Sequence, residues 1–148
     1  MSEENKAVVR RMIEELFNEG NLDATDEIIA RDHSHHDPAM PEEGHGPEDF
    51  KQFVAAYRSA FPDLHVQIED QVAEGDRVST RWTVTGTHDG DLMGIPPTGR
   101  RITLPGMEIS RISDGKIVET WEGYDSMGIM QQLGVVSSPE QSEEASPT

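Results

Sequence analysis

The spacing of apolar residues changes once along the chain, and this change constrains the fold more than any other feature. Before Pro62, apolar residues recur at three- and four-residue steps, which is typical of amphipathic helices with one buried face. From Leu64 onward they alternate with polar residues, which indicates strands. Asp114-Gly115 is a strong hairpin signal, so the last two strands should pair in antiparallel order. Helices followed by antiparallel strands predict an α+β domain with the helices on one side of a sheet.

Three helices are predicted before the strands. The first follows the apolar stripe that begins at Val8, and a shorter one begins at about Leu22. The third begins at Gly46-Pro47, because proline suits the first helical turn, and it ends at Pro62, which cannot donate a backbone hydrogen bond. Between the second and third helices, Asp32 to Gly46 breaks all periodicity and is predicted to be a polar loop.

Four strands and a short helix are predicted after the third helix. The first strand ends at the turn Glu74-Gly75-Asp76, the next two cover 77–87 and 101–112, and the last begins at Lys116. These long, bent strands suggest a sheet that curls around a cavity. A short helix closed by Gly134 then completes a single domain over residues 1–136. Residues 137–148 are acidic and almost without apolar side chains, so we expect a disordered tail.

The chain is strongly acidic, which limits its partners. Twelve Lys and Arg stand against 29 Asp and Glu, a net charge of −17. Because phosphate binding needs a basic surface, we expect no nucleic acid and no anionic membrane as partner. The chain has no cysteine, which excludes disulfides and thiolate zinc sites. Its first residues are polar and it has no long apolar run, so we expect a cytoplasmic protein.

The last strand carries residues that suggest acid–base chemistry. If the strand has no bulge, Glu119, Trp121 and Asp125 lie on one face together with Ile117. A carboxylate that a large aromatic ring shields from water has a raised pKa, which suits proton transfer. Asp125 also stands where its side chain would cap the helix that follows, and both interpretations stay open.

A histidine-rich segment is the second candidate cluster. His33, His35, His36 and Asp37 offer the imidazole and carboxylate groups that zinc or iron binds. Their spacing matches neither the cupin pattern nor a helical His-Glu-x-x-His motif, so we expect no metal. They are either solvated loop residues or side chains that point into a pocket. His36 and Asp37 are the best candidates for a pocket, because Pro38 fixes the backbone just after them.

Three further residues are candidates for substrate contact. Arg81 lies mid-strand, where it either pairs with a carboxylate inside the cavity or lies on the outer face. His88 begins the loop after that strand and contacts either a ligand or solvent. Tyr57 belongs to the apolar face of the third helix. The chain has no nucleophile elbow and no phosphate-binding glycine loop, so acid–base chemistry by carboxylates and imidazoles remains.

Several motifs, in this order, resemble those of one known family. They are His36-Asp37-Pro38, Ala60-Phe61-Pro62-Asp63-Leu64, Gly86-Thr87-His88-Asp89-Gly90, Gly94-Ile95-Pro96-Pro97-Thr98-Gly99, Asp114-Gly115-Lys116-Ile117-Val118-Glu119 with Trp121 and Asp125, and Gln132-Leu133-Gly134. Over roughly residues 5 to 135 the chain resembles the SnoaL-like polyketide cyclase (ester cyclase) family of the nuclear transport factor 2-like superfamily. The resemblance implies a cone-shaped, cystatin-like α+β barrel, in which a curved antiparallel sheet and three N-terminal helices enclose a deep apolar pocket.

The resemblance also implies an activity. In such cyclases an aspartate near the end of the last strand is the general acid/base of an intramolecular aldol ring closure, without a metal or organic cofactor. Asp125 matches that position, and His36 would orient or polarise a small apolar carbonyl substrate. Homodimers or larger homo-oligomers would form through the sheet. The predicted substrate contacts are Trp121, Glu119, Arg81, His88, His35 and Tyr57.

Two other functions stay open on the same fold. One is a non-catalytic module that binds or carries a small molecule, because the superfamily contains both enzymes and binding proteins. The other is isomerase chemistry like that of ketosteroid isomerase, or hydrolysis, with Asp37 as the base. Asp37-Pro38 falls at about the place of that isomerase's Asp-Pro base, in the loop before the third helix.

Overall fold

The computed structural model describes residues 2–38 and 42–136, which form a curved six-stranded sheet with helices packed against it. The helices are α1 (Ser2–Arg11), which continues in π-helical geometry over Met12–Asn18, α2 (Thr25–Ile28), which follows a 3-10 turn at Leu22–Ala24, α3 (Gly46–Ala60) and α4 (Ser126–Leu133). The strands are β1 (Ile29–His36), β2 (Gly44–His45), β3 (His65–Glu74), β4 (Arg77–Thr87), β5 (Arg101–Ser113) and β6 (Lys116–Tyr124). Their order across the sheet is β2-β1-β6-β5-β4-β3.

The apolar faces of the helices cover one side of the sheet. The periodic residues of the first helix, among them Val9, Ile13 and Leu16, are fully or almost fully buried. Helix α3 begins and ends where proline predicts, and it buries Phe50 and Val54. A second apolar cluster joins the end of α3 to α4 and to β5; it contains Phe61, Leu64, Leu92, Ile102, Leu104, Ile129 and Leu133. Residues of this cluster, together with Met12, Ile13 and Trp82 of the other buried cluster, line an apolar cavity.

The predicted α+β fold class is confirmed, and two details are corrected. The predicted polar loop from Asp32 to Gly46 contains most of β1 and all of β2. The sequence does not indicate strand β1, because the side chains that it buries include His33 and His35 and therefore show no apolar alternation. The sheet therefore has six strands rather than four. One of its pairings, between β1 and β6, is parallel, and the others are antiparallel.

A β-bulge in β6 reverses the faces predicted for the last strand. Ile117 and Glu119 pair with neighbouring residues of β5, so Val118 is an extra residue. Ile117 is fully buried, yet Glu119 and Trp121 lie on the outer face and Glu122 lies on the inner one. The prediction of a shared face for Ile117, Glu119 and Trp121 is wrong, because one extra residue moves all later side chains to the opposite face.

The loop between β4 and β5 is fixed to the end of α3. The backbone N–H of Gly90 donates a 3.0 Å hydrogen bond to the carbonyl of Ala60. A Cβ at Gly90 would lie 2.1 Å from the carbonyl oxygen of Ser59, so this close approach requires glycine. His88 is fully buried in the same loop, and its Nδ1 accepts the backbone N–H of Thr98. The loop thereby closes one side of the second apolar cluster.

Two further predictions concern the ends of the chain and its environment. The predicted disordered tail, residues 137–148, lies outside the described residues. Within residues 2–38 and 42–136, no helix is both long enough and apolar enough to cross a membrane.

Candidate active site

An apolar cavity lies between the sheet and the helices. Its walls are largely aromatic and aliphatic, and include Phe17, Phe53, Phe61, Trp82, Val84 and Ile129. The empty space between these walls, together with its open mouth, is about 640 Å³. The part that the centre of a water molecule can reach is about 70 Å³, so the interior is narrow. The polar groups on its wall are few, and they belong to Tyr57, Tyr124, Glu108 and Glu122.

Three hydrogen-bonded pairs join β1 and the segment after it to the inner face of β6. The pairs are His33 with Thr120 (3.0 Å), His35 with Glu122 (2.9 Å) and Asp37 with Tyr124 (3.1 Å). Each pair is two residues further along both segments than the one before. This regularity follows from the parallel pairing of β1 with β6, because alternate side chains of both strands then point to the same face. The bulge in β6 selects which of its residues take part.

The second and third pairs are linked into one buried network. Asp37 makes a hydrogen bond with Glu122, and the Tyr124 hydroxyl, which donates to Asp37, lies 3.4 Å from the hydroxyl of Tyr57. The His35 ring packs edge-on against Phe53, and its side chain is 9% exposed. A continuous polar path therefore runs from the imidazole of His35 to the phenol of Tyr57, and its members Glu122, Tyr124 and Tyr57 line the apolar cavity.

Glu108 adds a second carboxyl group to that wall. It lies on β5, directly opposite Glu122 in the pairing of β5 with β6. Its side chain is buried, and its Oε1 has no hydrogen-bond partner among the described residues. Burial, reinforced by the charge of Glu122, raises the pKa of Glu108 to about 8. At neutral pH this carboxyl group is therefore mainly protonated.

Burial also sets the protonation of the neighbouring groups. It raises the pKa of Glu122, an effect that the hydrogen bond from His35 opposes. Burial lowers the pKa of His33 to about 4, so that imidazole is neutral near pH 7. The pKa values of Tyr57 and Tyr124 are raised for the same reason, so both hydroxyls keep their protons. The wall thus offers hydroxyl and carboxyl donors next to a carboxylate of increased basicity.

A second polar cluster lies on the outer face of the same strands. His36 Nε2 is 2.8 Å from Glu119 Oε2, and the Arg111 guanidinium is 3.2 Å from the other oxygen of Glu119. The His36 ring stacks on Trp121 at 5.5 Å, and the Arg77 guanidinium lies 5.2 Å from the centre of that indole. The hydrogen bond from His36, together with that from Arg111, lowers the pKa of Glu119. These residues do not line the apolar cavity.

The remaining predicted site residues lie apart from the cavity. Asp125 is exposed and caps α4, where its carboxylate accepts the N–H of Gly128 at 2.8 Å, as the capping interpretation predicts. Arg81 forms an ion pair with Asp70 at 3.2 Å on the exposed face, so the outer-face alternative describes its position. His88 is enclosed by its own loop rather than solvated.

The sequence does not identify Glu122 or Tyr124 as site residues, and it suggests Glu108 only as a partner for Arg81 inside the cavity. The hairpin turn gave the approximate pairing, but the bulge that brings Glu108 opposite Glu122 has no marker in the residues themselves. The histidine segment was identified, although His35 rather than His36 reaches the inner face. Over the described part of the chain, no group of three or more histidine, aspartate or glutamate side chains is arranged to hold a metal ion.

Comparisons with known proteins agree with this architecture. The family model described as SnoaL-like polyketide cyclase matches residues 7–133. The chain is 36% identical over 124 residues to nogalonic acid methyl ester cyclase of Streptomyces nogalater, covering 80% of this chain and 89% of that protein. It is 32% identical over 133 residues to an aklanonic acid methyl ester cyclase of Streptomyces peucetius, covering 86% and 88%. A solved SnoaL-like polyketide cyclase from Jannaschia matches with a TM-score of 0.83 at 25% identity, over 93% of this chain and 95% of that one.

Proposed function

This chain belongs to the SnoaL-like polyketide cyclase family, and we propose that it closes a ring in a small apolar carbonyl compound by acid–base chemistry. The observation that carries the proposal is the polar wall of the cavity. There Glu122, which is hydrogen-bonded to His35, lies beside Glu108 and the hydroxyls of Tyr57 and Tyr124, while the rest of the lining is apolar. An apolar guest would have its carbonyl groups against this wall.

In the proposed reaction Glu122 is the base. Its carboxylate removes a proton from a carbon that is flanked by carbonyl groups, which leaves an enolate. The enolate carbon attacks a second carbonyl carbon of the same molecule, a carbon–carbon bond forms, and the oxygen of the attacked carbonyl takes up a proton. The proton balance is zero, so the product is an isomer of the substrate. The raised pKa of Glu122 strengthens it as a base, and hydroxyl donors stabilise the charge on oxygen.

Asp37 and Asp125 are the rival bases. Asp37 belongs to the hydrogen-bonded network around Glu122, which supports it as a base or as a residue that positions Tyr124. Asp125 is supported by the resemblance to the cyclases, in which an aspartate at this point of the chain is the acid/base. The roles predicted for His36, Glu119, Trp121, Arg81 and His88 in binding the substrate stay predictions.

The experiment uses the compounds named for the two relatives, nogalonic acid methyl ester and aklanonic acid methyl ester. The purified chain should convert at least one of them to an isomer of equal mass, followed by chromatography and mass spectrometry, in buffer that contains a chelator and no added cofactor. Glu122→Gln should reduce the turnover number by about 100-fold or more, the usual contribution of a general base. Glu69→Gln, an exposed carboxylate of β3 that does not line the cavity, is the control and should leave turnover unchanged.

The variants also distinguish the rival proposals. Full activity in Glu122→Gln would contradict its role as base, and loss of activity in Asp37→Asn alone would support isomerase-like chemistry at Asp37. Binding of either ester without any conversion, in the unmodified chain and in all variants, would favour the non-catalytic carrier.

A further inference from the structure

We propose that Glu108 acts as a neutral carboxylic acid that donates a hydrogen bond to a carbonyl oxygen of the ligand in the cavity. The proposal rests on the proposed function for the identity of the ligand as a carbonyl compound, but the binding experiment below is independent of turnover. It assigns Glu108 and Glu122 different tasks, although both are glutamates on facing positions of β5 and β6. Glu122 accepts a proton, and Glu108 keeps its proton and shares it with an oxygen of the ligand.

Glu108 has a buried carboxyl oxygen whose hydrogen-bonding capacity is not satisfied by the described residues. Its Oε1 is buried on the wall of the cavity and has no hydrogen-bond partner within the described residues. Ser110, the next inward residue of β5, has a buried hydroxyl oxygen that is also unpaired there. A buried polar atom without a partner destabilises the fold, so such atoms are uncommon. Two of them on one face of one strand, one of them on a residue that lines the cavity, indicate that a ligand supplies what the protein lacks.

The groups around Glu108 favour the neutral form of its carboxyl group. On β6 it faces the carboxyl group of Glu122, and on β4 its paired residue is Thr80, which carries no charge. The π-helical segment contributes the apolar Met12 and Ile13 to the same cavity. None of the described lining residues is lysine or arginine, so no cation compensates a second negative charge on this wall.

The hydrogen bonds of Glu108 and Glu122 decide which of the two carboxyl groups keeps the proton. Two facing carboxyl groups in a dry site do not both ionise, because each charge opposes the other. His35 makes a hydrogen bond with Glu122 that favours its ionised form and opposes the effect of burial and of Asp37, whereas Glu108 receives no such bond. The proton therefore stays on Glu108, consistent with its pKa of about 8. A neutral acid and a carboxylate side by side are the arrangement that acid–base chemistry on a carbonyl compound requires.

The test compares Glu108→Gln, which keeps a neutral donor of similar shape, with Glu108→Leu, which removes the donor. The probe is menadione, a small apolar diketone that does not ionise and, because the chain has no cysteine, has no thiol to react with. Binding is followed by quenching of Trp82, which lines the cavity, while Trp121 on the outer face gives a constant background. We expect the affinity of the unmodified chain to fall about tenfold as the pH rises through about 8.

The variants give opposite expectations. Glu108→Gln should bind menadione at about pH 6 as well as the unmodified chain does, and should keep that affinity at about pH 9. Glu108→Leu should bind about tenfold more weakly at both pH values, the loss expected for one hydrogen bond in a dry site. Glu119→Gln is the control for a change of charge on the other face of the sheet, and thermal unfolding of each variant reports whether it is folded.

Two results would overturn the proposal. One is weak binding by folded Glu108→Gln at about pH 6, which would mean that Glu108 acts through its negative charge. The other is a pH-independent affinity in the unmodified chain. If neither ester is turned over but the menadione results are as expected, the proposed cyclase activity fails and the assignment of Glu108 stands.

Discussion

Two pairs of histidine and glutamate, built from neighbouring residues of the same two strands, differ in chemistry because they lie on opposite faces. The inner pair joins His35 to Glu122 at 2.9 Å, and the outer pair joins His36 to Glu119 at 2.8 Å. The inner side chains are 9% and 10% exposed, the outer ones 27% and 24%. Burial raises the pKa of Glu122, whereas hydrogen bonds from His36 and Arg111 lower that of Glu119. Distance alone therefore does not identify a reactive pair; its solvation does.

The surroundings increase the difference between the two pairs. The inner pair has two further carboxyl groups beside it, those of Asp37 and Glu108, and no lysine or arginine among the described residues of the cavity wall. The outer pair has the carboxylate of Glu43 at 2.9 Å from His36 Nδ1, but it also has Arg111 on Glu119 and Arg77 over Trp121. On the inner face, neighbouring carboxyl groups raise each other's pKa. On the outer face, Arg111 stabilises the carboxylate of Glu119. We expect three measurements to separate the two faces, with decreasing size of effect.

The largest effect concerns stability as a function of pH at Glu108. Its pKa rises from 4.5 in the unfolded chain to about 8 in the folded one, so the folded state holds an extra proton between these values. The free energy of unfolding should therefore decrease as the pH rises from about 4.5 to about 8, by on the order of 5 kcal/mol at 1.4 kcal/mol per pKa unit. Urea unfolding at a series of pH values should show this decrease, and Glu108→Gln should remove it.

Glu119 supplies a control of opposite sign. Its pKa is lowered in the folded state, so its contribution to stability is present above its unfolded pKa and is lost as the pH falls. Glu119→Gln should therefore change the stability profile on the acidic side and leave the slope toward pH 8 intact. If Glu108→Gln kept that slope, Glu108 would not be the group that binds the extra proton.

The second measurement replaces the histidines one at a time by phenylalanine. His35→Phe leaves the buried carboxyl of Glu122 without the hydrogen bond that favours its charge, so its pKa should rise further. The acidic limb of the rate profile should then move to higher pH, and on that limb kcat/KM should decrease by about tenfold per unit of pKa. His36→Phe keeps the stacking on Trp121 and should leave the profile unchanged. Equal effects of the two substitutions would refute the distinction between the faces.

The smallest effect concerns Asp125, which lies on neither face. Asp125→Ala removes the acceptor for the N–H of Gly128 and should destabilise the chain by about 1 kcal/mol, whereas Asp125→Asn keeps a capping oxygen and should cost less. With Glu122 as base, Asp125→Asn should also retain most of its turnover. If that variant is fully stable but inactive, the acid/base role implied by the family resemblance belongs to Asp125 after all. Thermal unfolding and the ester assay on the same samples decide this.

One extra residue in β6 limits how much of the site can be predicted from the sequence. Counted from the turn at Asp114-Gly115 without a bulge, Glu108 would lie opposite Trp121, and the inner carboxyl pair would not exist. The bulge at Val118 brings Glu108 opposite Glu122 instead. Nothing in the local sequence marks Val118 as the extra residue, because its position is fixed by the packing of both strand ends.

The sequence by itself determined the class of the fold, the bounds of α3 and β4, and the family, because helix periodicity, proline, turn glycines and the order of short motifs are local properties of the chain. Only the tertiary structure decided which titratable residues meet. Strand β1 is recognisable only once it lies beside β6, since its buried side chains are histidines that find partners there. Whether a carboxyl group holds a proton depends on the water excluded around it, and that exclusion exists only after distant segments have packed together.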